Sequence, residues 1–187
     1  LFLADSLENG AGYCTHLGKP EQFERVLADA RAFLADLEKE PHASRCDSSC
    51  YDCLRDYFNM AYHPLLDWRL ARDMLGLLEN KDFGADAWRA TEASLAKTFA
   101  ADFGGDVVEL EGGVFAVGLP APYPLLVVTH PFESTASENM FPERVALAVG
   151  DAEMRGLSGG ERGTVFADTF NLIRRPGWVA AGAFQLA

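Results

Sequence analysis

The 187 residues, 49% hydrophobic and 24% charged, suit one substantial soluble domain or two small ones. A net charge of −12 argues against a domain built chiefly to grip phosphates. No apolar run reaches the ~20 residues that cross a bilayer, and no basic-then-apolar leader is visible, so a cytoplasmic setting without a membrane partner is expected.

The chain opens on LFLAD, residues 1–5, with no initiator Met. That stretch reads as a strand entered midway, so a piece of a longer polypeptide is expected. A turn at Asn9-Gly10 follows, and Gly10 and Gly12 permit left-handed backbone or close packing. Residues 19–40 read as an amphipathic helix, with Phe23, Val26, Leu27, Ala30, Phe33, Leu34 and Leu37 at helical spacing. Pro20 and Glu21 suit its first turn, and Pro41 follows its end. Residues 51–63 start helically from a Cys50–Cys53 knuckle. A second strong helix covers 63–80, with Pro64 near its start and Leu66, Leu70, Met74 and Leu77 or Leu78 on its buried face. A third covers 86–104, with Asp86 as N-cap and Gly104 beyond its end.

After Gly104 the texture changes. Residues 106–119 read as a hairpin turning at Gly112-Gly113, and 123–131 as a buried strand. RVALAVG (144–150) and TVFADTFNL (164–172) read as weaker strands; 133–142 and 150–163 read as loops. The fold class is therefore α+β: a helical four-cysteine zinc-binding module over 1–104, then a smaller β-rich module over 105–187.

Cysteine usage carries the chemistry. Cys46, Cys50 and Cys53 fall within eight positions, and Cys14 is the fourth cysteine. Two thiolates two residues apart can be turned toward one centre, and zinc takes four soft ligands in a tetrahedron. The expected ligands are Cys14, Cys46, Cys50 and Cys53, with Cys14 brought in when the first helix folds back. An all-thiolate site is closed, hence structural. The competing readings are two disulfides, disfavoured by the close spacing and absent leader, and three cysteines completed by His16, His42 or His63. Buried free cysteines and a redox Cys-x-x-Cys are weaker alternatives.

The residues DSLENGAGYC, a helix, then CDSSCYDCLRDYFNMAYHPLLDWRLARDML resemble the MrfA-type zinc-binding domain. That domain ends large superfamily-two DEAD/DEAH-box DNA helicases and related phage-defence proteins. The matching positions are Asp5, Gly10-Ala11-Gly12, Cys50, Cys53-Leu54, Tyr57, Asn59, His63 and Leu66-Asp67, within about residues 1–78. Many members hold four cysteines in one compact cluster, whereas this chain has three there. The tail, including FADTFNLIRRPGW, is also similar to the ends of such helicases. The resemblance implies a non-catalytic accessory role in DNA repair or phage defence. Its partners would be the motor domains of the same polypeptide, single-stranded or duplex DNA, and defence-system proteins. ATP would be used only by those motor domains, since this chain has no Gly-x-x-x-x-Gly-Lys-Ser/Thr loop.

Other signals are weighed against plainer readings. LSGGE at 157–161 mimics an ABC-transporter signature but has no phosphate loop to serve. Asp106, Glu109 and Glu111 suggest a PD-(D/E)xK-like nuclease, active or degenerate, yet the Glu-x-Lys element is missing; a solvated strand face is the plainer reading. A module serving only protein interaction is a further alternative. His130-Pro131 reads as a strand-terminal turn, and His63 as packing or capping. Arg174 and Arg175 beside Trp178 are a candidate nucleic-acid contact, weighed against surface charge with Trp178 in the core. Arg55, Arg69 and Arg72, interspersed with Asp56, Asp67 and Asp73, read as helix-surface ion pairs.

Overall fold

The computed structural model describes residues 12–79, 84–133, 135–136, 141–158 and 163–185. The expected strand at 1–5 and turn at Asn9-Gly10 lie outside the described residues, as do Asp5, Gly10 and Ala11 of the family pattern and Gly159–Glu161 of LSGGE. The fold is α+β, and the chain divides into two compact units, 1–83 and 84–187.

The first unit is helical. Helix α1 spans Tyr13–Leu17 and α2 spans Pro20–Leu37. Proline at the first helical position loses no hydrogen bond, because that N–H has no partner in a helix start. Helix α3 is one turn, His42–Arg45. A 3₁₀ segment follows at Tyr57–Leu65, where the sequence suggested helix from the cysteine knuckle. Asp56 opens it with a reciprocal cap: its carboxylate accepts the Phe58 N–H, and Asn59 Oδ1 accepts the Asp56 N–H. Helix α4 spans Trp68–Leu78 and starts four residues after Pro64. Its N-cap is Asp67, whose Oδ1 accepts the N–H groups of Arg69 and Leu70.

The buried face of α4 differs from the sequence expectation. Trp68 and Asp73 are buried, Ala71 and Leu75 pack on the core, and Met74, Leu77 and Leu78 are exposed. Trp68 sets this rotation: its indole N–H donates to the Cys46 carbonyl at 3.0 Å, which ties the first turn of α4 to the cysteine segment. The core of this unit is small, with Leu34, Leu37, Cys46 and Trp68 buried.

In the second unit a 3₁₀ turn at Ala85–Trp88 leads into α5, Arg89–Phe103. Gly104, with φ +81°, ends α5 as expected. Strands β1 (Asp106–Leu110), β2 (Val114–Gly118) and β3 (Leu125–Thr129) form an antiparallel meander. The first hairpin turns at Gly112 and Gly113, both at positive φ. A Cβ on Gly112 would stand 2.7 Å from the Arg144 carbonyl, so the close approach of the next helix also requires glycine. Strand β4 (Thr164–Asp168) pairs parallel with β3, giving the order β1-β2-β3-β4.

A parallel neighbour needs a crossover. It is supplied by α6, Glu143–Met154, so RVALAVG is helical rather than the expected strand. TVFADTFNL divides at Asp168 into β4 and α7, Thr169–Arg174, because the Asp168 carboxylate accepts the Asn171 N–H and caps the helix. Helix α8 spans Pro176–Gln185. One face of the sheet packs on Phe99 of α5, Leu172 of α7 and Val179 of α8; the other packs on Ala148 and Ala152 of α6. Residue 104 thus marks the approach to the first strand, while α5 packs on the sheet and belongs to the second unit.

Candidate metal centre

Four side chains converge at the end of α2. His42, Cys46, Cys50 and Cys53 each offer a ligand atom, and all four atoms lie within 4.8 Å of one another. His42 and Cys46 are four apart across the single turn of α3, which puts them on one side of it. Cys50 and Cys53 close the turn that follows, where the Cys50 N–H donates to Cys53 Sγ at 3.1 Å.

The spacing discriminates among the readings. Cys46 Sγ to Cys53 Sγ is 3.8 Å, and Cys50 Sγ to Cys53 Sγ is 3.6 Å. A disulfide requires about 2.05 Å, so these sulfurs are not bonded. Zinc–sulfur bonds of ~2.3 Å at the tetrahedral angle separate two sulfurs by about 3.8 Å. With a zinc–nitrogen bond of ~2.05 Å, sulfur and nitrogen stand about 3.6 Å apart. Cys50 Sγ to His42 Nε2 is 3.6 Å. Those three separations match the edges of a metal tetrahedron, and all four ligand atoms lie within 4.8 Å of one another.

Surrounding contacts orient the ligands. His42 Nδ1 lies 2.8 Å from the Leu37 carbonyl and, as the donor, leaves Nε2 facing the sulfurs. The His42 ring meets Trp68 edge to face at 5.6 Å. Burial pushes the Cys46 thiol up to about 12, with the neighbouring Cys50 and Cys53 adding to the rise. Burial also opposes ionisation of Cys50, but the Asp52 backbone, Cys53 and His42 outweigh it and lower its pKa. For His42, burial disfavours the charge, yet the Leu37 carbonyl and Cys50 raise its pKa overall. A divalent ion would displace the thiol protons, as thiolate ligation requires.

Three of the four expected cysteines are in this group, with His42 as its fourth member. Cys14 lies outside it, on α1. The 18 residues of α2 carry the chain about 27 Å, and Cys14 precedes that helix whereas the cluster follows it. His16, also on α1, and His63 are likewise outside the group. His63 Nε2 lies 2.9 Å from Asn59 Oδ1, and Asn59 Nδ2 donates to the Leu54 carbonyl at 2.9 Å. Asn59 and His63 therefore tie down the segment that follows the knuckle.

The other candidates are accounted for in turn. Arg72 pairs with Asp73 and Glu38, and Arg69 approaches Asp67, as the ion-pair reading expects. Arg55 instead donates to Ser49 Oγ. Glu109 pairs with Arg89, and among the described residues no metal-competent group includes Asp106, Glu109 or Glu111. His130 is buried at the end of β3, where its carbonyl accepts the Glu133 N–H in a turn. Trp178 is 61% exposed, which corrects the reading that placed it in the core. The Arg175 guanidinium stacks over its ring at 4.2 Å, and Arg174 stacks over Phe170 at 3.9 Å.

The sequence reading missed a buried charged network. Arg144 on α6 binds Glu92 of α5 at 2.7 Å and Glu133 of the loop after β3 at 2.5 Å. Burial raises the Glu92 pKa despite Arg144. Burial also pulls Arg144 down, but its two carboxylates outweigh that and raise it. Nothing in the periodicity of α5 marks Glu92 as an inward-facing charge.

Among the described residues no helix is long and apolar enough to cross a membrane. No protein-family model, curated protein or solved structure matches the chain.

Proposed function

We propose that the first unit holds one structural zinc ion through His42, Cys46, Cys50 and Cys53. We further propose that it is a non-catalytic accessory module of an ATP-dependent DNA helicase, as the family resemblance implies. The observation that carries the zinc reading is the convergence of one imidazole and three sulfurs within 4.8 Å, with three of their separations at 3.6–3.8 Å. Four protein ligands leave no open position for water, which is the arrangement of a structural site. Zinc would supply no chemistry here beyond holding α3, the knuckle and the start of α4 together.

The accessory role rests on the sequence pattern and on one surface feature. The 3₁₀ segment directs Tyr57, Phe58, Met60, Tyr62 and Leu65 outward, with Phe58 92% exposed. Five large apolar or aromatic side chains exposed within nine residues favour packing against further protein. The nuclease alternative predicts divalent-metal-dependent DNA cleavage that Glu109→Ala abolishes; the Arg89 pairing of Glu109 favours the plainer strand-face reading.

The test is amide exchange of the whole chain before and after chelation, then after zinc is restored. Residues 42–54 should lose protection on chelation and regain it with zinc. Identical protection in both states would contradict a structural ion. In a longer polypeptide carrying the motor, Cys50→Ser should leave ATP binding intact while lowering DNA unwinding. Unchanged unwinding with the zinc lost would refute the accessory role alone.

A further inference from the structure

The two edges of the sheet are built differently. The β1 edge carries exposed Asp106 and Glu109, and Arg155 Nη1 donates to the Glu109 carbonyl at 3.0 Å. Charges and a covering side chain are the usual protection of an unpaired edge. The other edge, β4, reads Thr-Val-Phe-Ala-Asp, with no proline, glycine or basic residue. Its only strand partner among the described residues is β3.

Beside this edge lies an apolar cavity of about 150 Å³, lined by Val165, Ala167, Trp178, Gly182 and Ala183 among others. An apolar cavity of about that volume takes a benzene ring. Gly182 is one of its lining residues. It sits inside α8, where glycine weakens a helix relative to alanine, yet a Cβ there would meet nothing within 4 Å. Packing therefore does not demand glycine at this position. At Trp178 the groove meets Arg175, a local positive charge in an acidic chain.

We propose that β4 and the groove beneath α8 bind an extended peptide of another protein as a fifth strand. The side of β4 away from β3 would supply the main-chain hydrogen bonds, the cavity would take one apolar side chain, and Arg175 would favour a carboxylate. A second copy of the chain fits less well, since it brings the same net charge of −12.

The test uses the full chain and blocked heptapeptides that alternate threonine with an apolar residue and carry Glu or Gln at one end. Binding should slow exchange at alternate amides of β4, and Glu should be preferred to Gln in wild type but not in Arg175→Ala. Methylating alternate peptide nitrogens should abolish binding. Gly182→Val should weaken it roughly tenfold or more while leaving thermal unfolding unchanged. Equal binding by the methylated peptides, no protection of β4 by any peptide, or indifference to Gly182→Val would overturn the proposal. So would β4 protection that sedimentation traces to self-association without peptide.

Discussion

At the scale of single residues, the Glu92–Arg144–Glu133 network is the most consequential feature of the second unit. Glu92 is fully buried, and one guanidinium serves both carboxylates. Removing the shared cation strands two negative charges. Arg144→Ala should therefore cost about 3–5 kcal/mol at neutral pH, read by denaturant unfolding. The cost should shrink as pH falls and Glu92 takes up a proton; a pH-independent cost would point to lost packing instead. The sign for Glu92 itself is the reverse of the usual carboxylate. Its pKa is raised in the fold, so the stability it contributes is present below its unfolded value and is lost as pH rises through its folded value. Glu92→Gln, measured against wild type, should accordingly gain in relative stability as pH rises.

At the scale of elements, Asp67 joins the cysteine segment to α4. Its carboxylate caps the helix, and the Trp68 N–H donates to the Ser48 carbonyl at 2.9 Å. Asp67→Ala should lower stability by about 1 kcal/mol, whereas Asp67→Asn, which can cap equally well, should cost less. Equal losses would assign the effect to the carboxylate charge rather than to the cap.

Elements whose physics is local were legible in the sequence. The proline start of α2, the Gly112-Gly113 hairpin and the apolar β3 each carry their own signal. Helix α6 did not, because Val145 to Val149 is a short continuous apolar run that fits strand or helix equally. Only the parallel pairing of β4 with β3 demands a crossover helix there. Likewise, the rotation of α4 depends on Trp68 reaching Cys46, a contact 22 residues apart in sequence. The three clustered cysteines were legible as a candidate metal site by spacing alone. The fourth member was not, because choosing between Cys14 and His42 requires knowing which end of α2 each one occupies.

At the scale of the whole molecule, the two units differ in how their described residues are packed. The sheet of the second unit is buried on both faces by helices. Among the described residues the first unit buries few apolar side chains around its cysteines, and small cores generally draw on another source of order. Metal ligation can supply it, since the four-ligand site forms only with the fold. Chelation should thus remove the thermal transition of the first unit and leave that of the second. A single transition shifted as a whole would show that the two units unfold together.

The most direct measurement is zinc content by elemental analysis for wild type, Cys14→Ser and His42→Ala, each purified without added metal. One zinc per chain in wild type and Cys14→Ser, lost or greatly weakened in His42→Ala, is the predicted result. Zinc lost in Cys14→Ser but kept in His42→Ala would contradict the His42 centre, and a folded, metal-free wild type would contradict the staple altogether.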